Sequence, residues 1–266
     1  MKNYILLLLS LLSLSCSKVI DVEYQEIEPI YVVQSVISDE GSYLRLTQSA
    51  NMEEQLQPEG IETAQVSVVS EDGKSFELEY YAEGYYLPYY PQKLTEGKNY
   101  TLNLEVEGQT FSSTALLPST PVISDVIFSQ QQFTADMNLV FCTVAILDTP
   151  GQENYYRYRF RYFVTDEVEE ESGEEPSWSL LKEDVDGEKV WVMTHLYTPD
   201  RELEDGDEIT VEVQSISRGA YEFFYTLSLS GSSSTNPSSN IDGGCIGYFS
   251  PYSVASVTKT FYYGEL

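Results

Sequence analysis

The chain has 266 residues, 43 acidic and 14 basic, giving a formal charge of −29 and an isoelectric point near 4.1. So acidic a body lacks the clustered basic footprint that a nucleic-acid partner requires, and with 22 Tyr and 11 Phe it is too aromatic to be globally disordered. No apolar run reaches the ~18–20 residues of a membrane-spanning helix, and the single His195 leaves no two-histidine metal or catalytic site.

The chain begins MKNYILLLLSLLSLSC. Lys2 supplies a positive start, and residues 4–14 form an apolar stretch of signal-peptide length. Ser13 and Ser15 precede Cys16, where a lipoprotein signal peptidase would cut. Cys16 would then carry the acyl chains, palmitate among them, as the first mature residue. Each buried CH₂ contributes about 0.8 kcal/mol, so several chains on one Cys tether a protein without spanning the membrane. Residues 1–16 therefore read as a lipoprotein signal peptide ending at the lipidated Cys, and 17–28 as a linker. The remaining cysteines sit in unlike contexts, Cys142 in NLVFCTVAIL and Cys245 in GGCIGYF. Two buried thiols or one bridge both fit an exported chain.

Past the linker, alternation at period two predicts strands at 30–37, 42–49, 62–70, 75–81, 99–106 and 109–116. Glu107-Gly108 reads as the turn of a hairpin between YTLNLEV and QTFSSTAL. Leu117-Pro118-Ser119-Thr120-Pro121 then breaks any strand and suggests a domain boundary. Further strands are expected near 122–133, 137–148, 153–165, 178–183, 189–197, 207–217 and 252–262. The tract DEVEEESGEEP at 166–176 carries seven carboxylates and no base, as expected of a loop. The period shifts at RGAYEFFYTLSL, predicting a short helix near 219–229. The fold class expected is mainly β: two tandem β-sandwich (Ig/fibronectin-like) domains, 29–118 and 119–266. The second is larger and holds the one short helix.

The segments EPIYVVQSVIS (28–38), GKNYTLNLEVEGQTFSSTALLP (97–118), the aromatic helix and NPSSNIDGGCIGYFSPYS (236–253) follow Cys16 in an order that resembles a known family. It resembles the Bacteroidota outer-membrane lipoproteins catalogued as domain of unknown function 4249. The resemblance implies an outer-membrane lipoprotein often encoded beside a TonB-dependent transporter. It supplies no catalytic residues.

Several constellations could carry recognition. YYAEGYYLPYY (80–90) pairs its tyrosines, so a strand would send one ring of each pair inward and leave the other exposed. Tyr81, Tyr85, Tyr86, Tyr89 and Tyr90 are the candidates for stacking on a ligand. Arg157, Arg159 and Arg161 share one face of a strand and could fork onto carboxylates or phosphates. Cross-strand pairs with Glu208 and Glu212 on a solvated sheet are the simpler account. The acidic turns at 184–188 and 205–208 offer at most a weak calcium site, since neither has the full spacing of a calcium loop. His195 shares a face with Trp191 and Met193 and reads as a packed residue.

No nucleophile elbow, metal set or cofactor motif stands out, so a non-catalytic reading is expected. It is a lipid-anchored outer-membrane accessory protein that binds a ligand or caps a partner TonB-dependent transporter. The alternative is a structural or adhesive surface lipoprotein that contacts protein or glycan through an aromatic patch.

Overall fold

The computed structural model describes residues 28–49, 58–134, 137–148, 153–163, 178–183, 189–196, 203–230 and 235–266. The leader with Cys16, the acidic tract 166–176 and the turn at 184–188 lie outside the described residues. Among the described residues, fourteen strands and one α-helix follow in order. They are β1 (Tyr31–Ile37), β2 (Tyr43–Gln48), β3 (Gln65–Ser70), β4 (Ser75–Ala82), β5 (Tyr85–Pro88), β6 (Asn99–Val106) and β7 (Gln109–Leu116). Then come β8 (Val122–Thr134), β9 (Met137–Leu147), β10 (Asn154–Phe163), β11 (Ser179–Glu183), β12 (Lys189–His195), β13 (Glu208–Ile216), α1 (Arg218–Ser230) and β14 (Ile246–Thr260). The mainly β architecture with one short helix is the expected one.

Alternation sets the inner face of each strand. In β6, Tyr100, Leu102, Leu104 and Val106 are buried while Thr101, Asn103 and Glu105 point outward. Its hairpin to β7 turns on Glu107-Gly108, with φ of 51° and 78°, the left-handed pair that matches the twist of a two-residue hairpin. Glu83-Gly84 does the same between β4 and β5, with φ of 49° and 82°.

Eleven strands form one continuous sheet in the spatial order β11-β10-β13-β14-β1-β2-β5-β4-β3-β6-β7. From β14 to β7 the sheet curls around a single core that includes Val33, Leu44, Leu46, Val68, Leu102, Phe111 and Phe249. The roll closes where Ser112 of β7 exchanges backbone bonds of 3.1 and 2.8 Å with Asp242. The other end of the sheet, β11-β10-β13-β14, packs on a three-stranded sheet ordered β12-β9-β8. Cys142, Val144, Ile146, Phe160, Ile209, Val211 and Phe261 fill that second sandwich.

Strand β14 joins the two cores. Ile246–Pro251 runs parallel to β1, pairing with Val32–Ile37. Tyr252–Thr260 then runs antiparallel to β13. The changeover falls at Pro251, whose missing N–H makes it suited to the point where a strand leaves one partner for another. This corrects two expectations. The final strand begins at 246 rather than 252, and the chain does not divide cleanly at 118/119. Residues 241–251 return to the first unit, where Ile241, Cys245 and Phe249 belong to its core.

The approach of β14 to β1 is close enough to demand glycine. A Cβ on Gly247, at φ +147°, would lie 1.8 Å from the Val33 carbonyl oxygen. Upstream, Asn240 serves as a short false strand: its Nδ2 donates to Phe249 O at 2.9 Å, and Phe249 N donates to its Oδ1 at 2.8 Å. Ser217 caps α1 by accepting from Ala220 N at 3.3 Å. The helix lays Phe223 and Phe224 against Tyr248, and Ala220, Tyr221 and Phe224 against a cluster with Tyr155 and Ile216. It therefore lies over the junction of the two units.

Candidate ligand-binding surfaces

The tyrosine-rich hairpin does not gather its rings into one patch. Tyr86 is 1% exposed. Its hydroxyl donates to Ile61 O at 2.9 Å and accepts from Ala64 N at 3.0 Å, so it is a core residue and not a ligand contact. Tyr85 is half-buried against Tyr43 at 5.9 Å, with the Arg45 guanidinium 5.3 Å from its ring. Tyr81, Tyr89 and Tyr90 are 73%, 74% and 67% exposed. Strand register separates them: Tyr81 sits beside the Glu83-Gly84 turn, whereas Pro88 already opposes Leu78. At ~3.4 Å per residue, Tyr89 lies about 13 Å further along. Tyr89 and Tyr90 do pack edge to face at 4.6 Å. The strand β5 that places these rings is too short to announce itself in the sequence.

The arginine strand forms cross-strand pairs as expected, but under cover. Arg159 faces Glu212 in the β10–β13 register. Glu212 Oε2 accepts from Arg159 Nη2 at 2.9 Å and from Arg161 Nη2 at 2.8 Å. Glu212 Oε1 accepts from Gln214 Nε2 at 3.0 Å. The Glu212 and Arg159 side chains are 6% and 12% exposed, Arg161 41%. Among the described residues Arg157 has no carboxylate partner; its Nε donates to Gln214 Oε1 at 2.6 Å. Its guanidinium lies between Trp178, at 4.4 Å, and Phe224, at 4.9 Å. Burial holds Arg157 below the usual arginine range, with the phenols of Tyr248 and Tyr252 pulling the other way. The solvated surface expected for this strand is therefore corrected, because α1 and Trp178 cover it. Glu208, opposite Phe163, takes no part in the network.

The face of β12 bearing Trp191 and Met193 is the outer one. Val192 and Leu196 enter the second core and Val190 is buried, while Trp191 and Met193 are 51% and 55% exposed. His195 lies opposite Phe141 in register, and the reading of it as a packed residue concerns a side chain outside the described residues.

In the turn at 205–208, Asp205 Oδ1 accepts from Tyr263 N at 2.6 Å and Asp207 Oδ2 from Glu204 N at 2.9 Å. The Asp205 carboxylate thus fastens the C-terminal segment, while that of Asp207 closes its own turn. Among the described residues no group of three or more His, Cys, Asp or Glu side chains is placed to hold a metal ion. Cys142 and Cys245 are free and lie in different cores. Burial pushes their thiols up to about 12 and about 11, far from the thiolate needed for nucleophilic chemistry.

Two concavities stand out among the described residues. One of 750 Å³ runs along β3, β4, β6 and β7, with Glu77, Glu79, Asn103, Glu105, Ser112 and Asp242 on its lining. The other, of 470 Å³, opens at the junction of the units, between Leu116 and Pro118 on one side and Tyr155 and Ile216 on the other. Asn240 and the start of α1 also line it. Both volumes lie within the ~300–1,000 Å³ range of small-molecule sites, and junctions of domains are favoured places for them. Sequence reasoning missed both, since each is assembled from strands far apart in the chain.

Among solved structures, a two fibronectin type-III domain segment from chicken tenascin is similar at 17% identity. The match covers 71% of this chain and 91% of that one, with a TM-score of 0.22. No curated protein matches the chain. The family model for Domain of unknown function (DUF4249) matches residues 17–258. With a match over that span, the chain belongs to the DUF4249 family.

Proposed function

We propose that the protein is a lipid-anchored accessory component of the outer membrane that binds a ligand for, or caps, a TonB-dependent transporter, without chemistry of its own. The observation that carries this reading is the cysteine-terminated leader set ahead of a body whose reactive groups are spent on structure. Cys142 and Cys245 are buried, and Arg157, Arg159 and Glu212 tie helix and sheet together. The resemblance to Bacteroidota outer-membrane lipoproteins supports the transporter as partner, and palmitate on Cys16 is the expected anchor. Replacing Cys16→Ser should release the protein from the membrane fraction and impair uptake of one nutrient. Unchanged uptake of every nutrient tested, with the variant verified as unanchored, would overturn the reading.

A second reading, adhesion to protein or glycan, is favoured by the exposure of Tyr81, Tyr89 and Tyr90. It requires binding to envelope or host material in cells that lack any transporter partner. Loss of that binding in a Tyr89→Ala/Tyr90→Ala variant would support it.

A further inference from the structure

Strands β5, β2, β1 and β14 lie side by side in the large sheet. On the side away from the first core, Tyr85, Arg45, Gln34 and Tyr248 stand opposite one another in register and form one row. Helix α1 covers one end of it, where Phe223 and Phe224 pack on Tyr248 at 4.9 and 4.8 Å. Beside the helix, Gln34, Arg45 and Tyr85 are half-buried. Tyr43, two residues before Arg45 on the same side of β2, meets the Tyr85 ring edge to face at 5.9 Å. The row is thus a ledge with a cation on its floor and tyrosine rings at its side.

Arg45 differs from the other described arginines in its partners. Arg159 and Arg161 share Glu212, Arg218 bonds to Glu222, and Arg157 bonds to Gln214. Among the described residues Arg45 meets no acceptor. Its Nε is buried without a hydrogen bond, and its guanidinium rests 5.3 Å from the centre of the Tyr85 ring. Its neighbours in the row, the Gln34 amide and the Tyr85 hydroxyl, make no hydrogen bond among the described residues either. Three adjacent donors therefore face no protein acceptor, in a chain that carries 43 carboxylates. A buried donor left unpaired costs ~1–3 kcal/mol, and more when it is charged. Such a group calls for an acceptor from outside the chain.

We propose that this ledge binds the carboxylate of a small organic acid whose apolar or ring-shaped body lies against Tyr85 and Tyr43. The planar guanidinium fork matches the two oxygens of a carboxylate, and the Tyr85 ring holds it in place beforehand. With strands ~4.8 Å apart, the step from Tyr85 to Gln34 spans roughly 10 Å, room for one carboxylate and a ring beside it. Tyrosine rings add contact area at little entropic cost. A phosphate fits less well: it brings nearly two negative charges to one guanidinium, on a body whose own charge is −29. In the proposed function, on which this assignment rests, such an acid is the ligand passed to the transporter.

The test uses the full lipidated chain, tagged and extracted in mild detergent from its native membrane. Phenylacetate is the probe, with phenylethanol, inorganic phosphate and detergent alone as comparisons. Isothermal titration measures binding, circular dichroism melting reports folding, and the transporter is quantified in each preparation. The expected result is saturable binding of phenylacetate, at least ten-fold weaker for the alcohol and for phosphate, and at least ten-fold weaker in Arg45→Gln. Gln34→Leu removes the adjacent donor, leaves the guanidinium, and should weaken binding about three-fold; it reads the same site if Arg45→Gln does not fold. Full binding by either folded variant, equal binding of acid and alcohol, or no saturable binding of the acid overturns the site. Tighter binding of phosphate overturns the ligand class. Acid binding without any transporter strikes the functional reading and leaves the site standing; transporter without acid binding does the reverse.

Discussion

Asn240 holds Phe249 by both of its backbone hydrogen-bonding groups, at 2.9 and 2.8 Å, and so substitutes a side-chain amide for a neighbouring strand. Phe249 is fully buried in the first core, where water cannot replace those bonds. Asn240→Ala should therefore destabilise the protein by about 2–4 kcal/mol, the cost of leaving a buried donor and acceptor unpaired. Urea denaturation followed by tryptophan fluorescence measures this. A change below ~0.5 kcal/mol would show that the segment does not depend on Asn240.

The parallel contact between β14 and β1 has a sharper dependence. Gly247→Ala places a methyl group within 1.8 Å of Val33 O, and backbone cannot give way there without opening the ladder. We expect a loss of about 4 kcal/mol or more, at the exceptional end for single substitutions. Gly108→Ala, in open space at φ +78°, should cost only about 1 kcal/mol. Equal effects of the two substitutions would contradict the close approach.

The arginine network separates two kinds of buried charge. Glu212→Ala would remove the carboxylate shared by Arg159 and Arg161, and should cost about 3 kcal/mol, the lower end for a broken buried pair because Arg161 is partly exposed. Arg157 makes no ion pair among the described residues, bonds to Gln214 and sits between two rings. Arg157→Met keeps an apolar chain of similar length between the rings but leaves the buried Gln214 Oε1 without its donor, and should cost about 1–2 kcal/mol, less than Glu212→Ala. The opposite order of effects in chemical denaturation would refute this assignment of roles.

Alkaline pH should destabilise the protein through its buried tyrosines. Burial raises the phenols of Tyr86, Tyr156, Tyr248 and Tyr252 above their ordinary range, and raises Tyr155 to about 12. Tyr155 also bonds to Glu153. A raised folded-state value means that the unfolded chain releases its protons first, near pH 10, while the folded chain keeps them. Their contribution is therefore complete below pH ~10 and is lost as pH rises towards 12. Thermal melts between pH 8 and 12, with tyrosinate absorbance as a second signal, should show the midpoint falling from about pH 10. A constant midpoint across that window would contradict the burial of these rings.

Cys142 and Cys245 occupy separate cores and should both be free. A mature body lacking the anchor should show two thiols in denaturant and almost none under native conditions with the same thiol reagent. A mass two units lower without reductant, and no titratable thiol, would mean a bridge and a different fold.

The strands that alternate cleanly were legible in the sequence. Residues 99–106 and 109–116 coincide with β6 and β7, and the Glu107-Gly108 turn has the backbone its residues require. Helix α1 was visible from the shift in period at Arg218. What was not legible depends on distant pairing. Nothing near Ile246 indicates that its partner is Val32, so the double role of β14 and the return of residues 241–251 to the first unit were hidden. The same limit explains Tyr86, whose buried hydroxyl depends on Ile61 and Ala64. It also explains Glu212, which becomes a buried anchor only because α1 and Trp178 cover β10. On β12, period two sorted Val192 and Leu196 from Trp191 and Met193, but hydrophobicity on both faces concealed which side met solvent.

The central claim is that this tethered, acidic β-protein works in a complex with a TonB-dependent transporter. Mass photometry of the native chain, tag-purified in mild detergent from its own membrane, tests it most directly. The account predicts one particle whose mass equals chain plus transporter in equal numbers. A particle with the mass of the chain alone, intact and still lipidated, would contradict it.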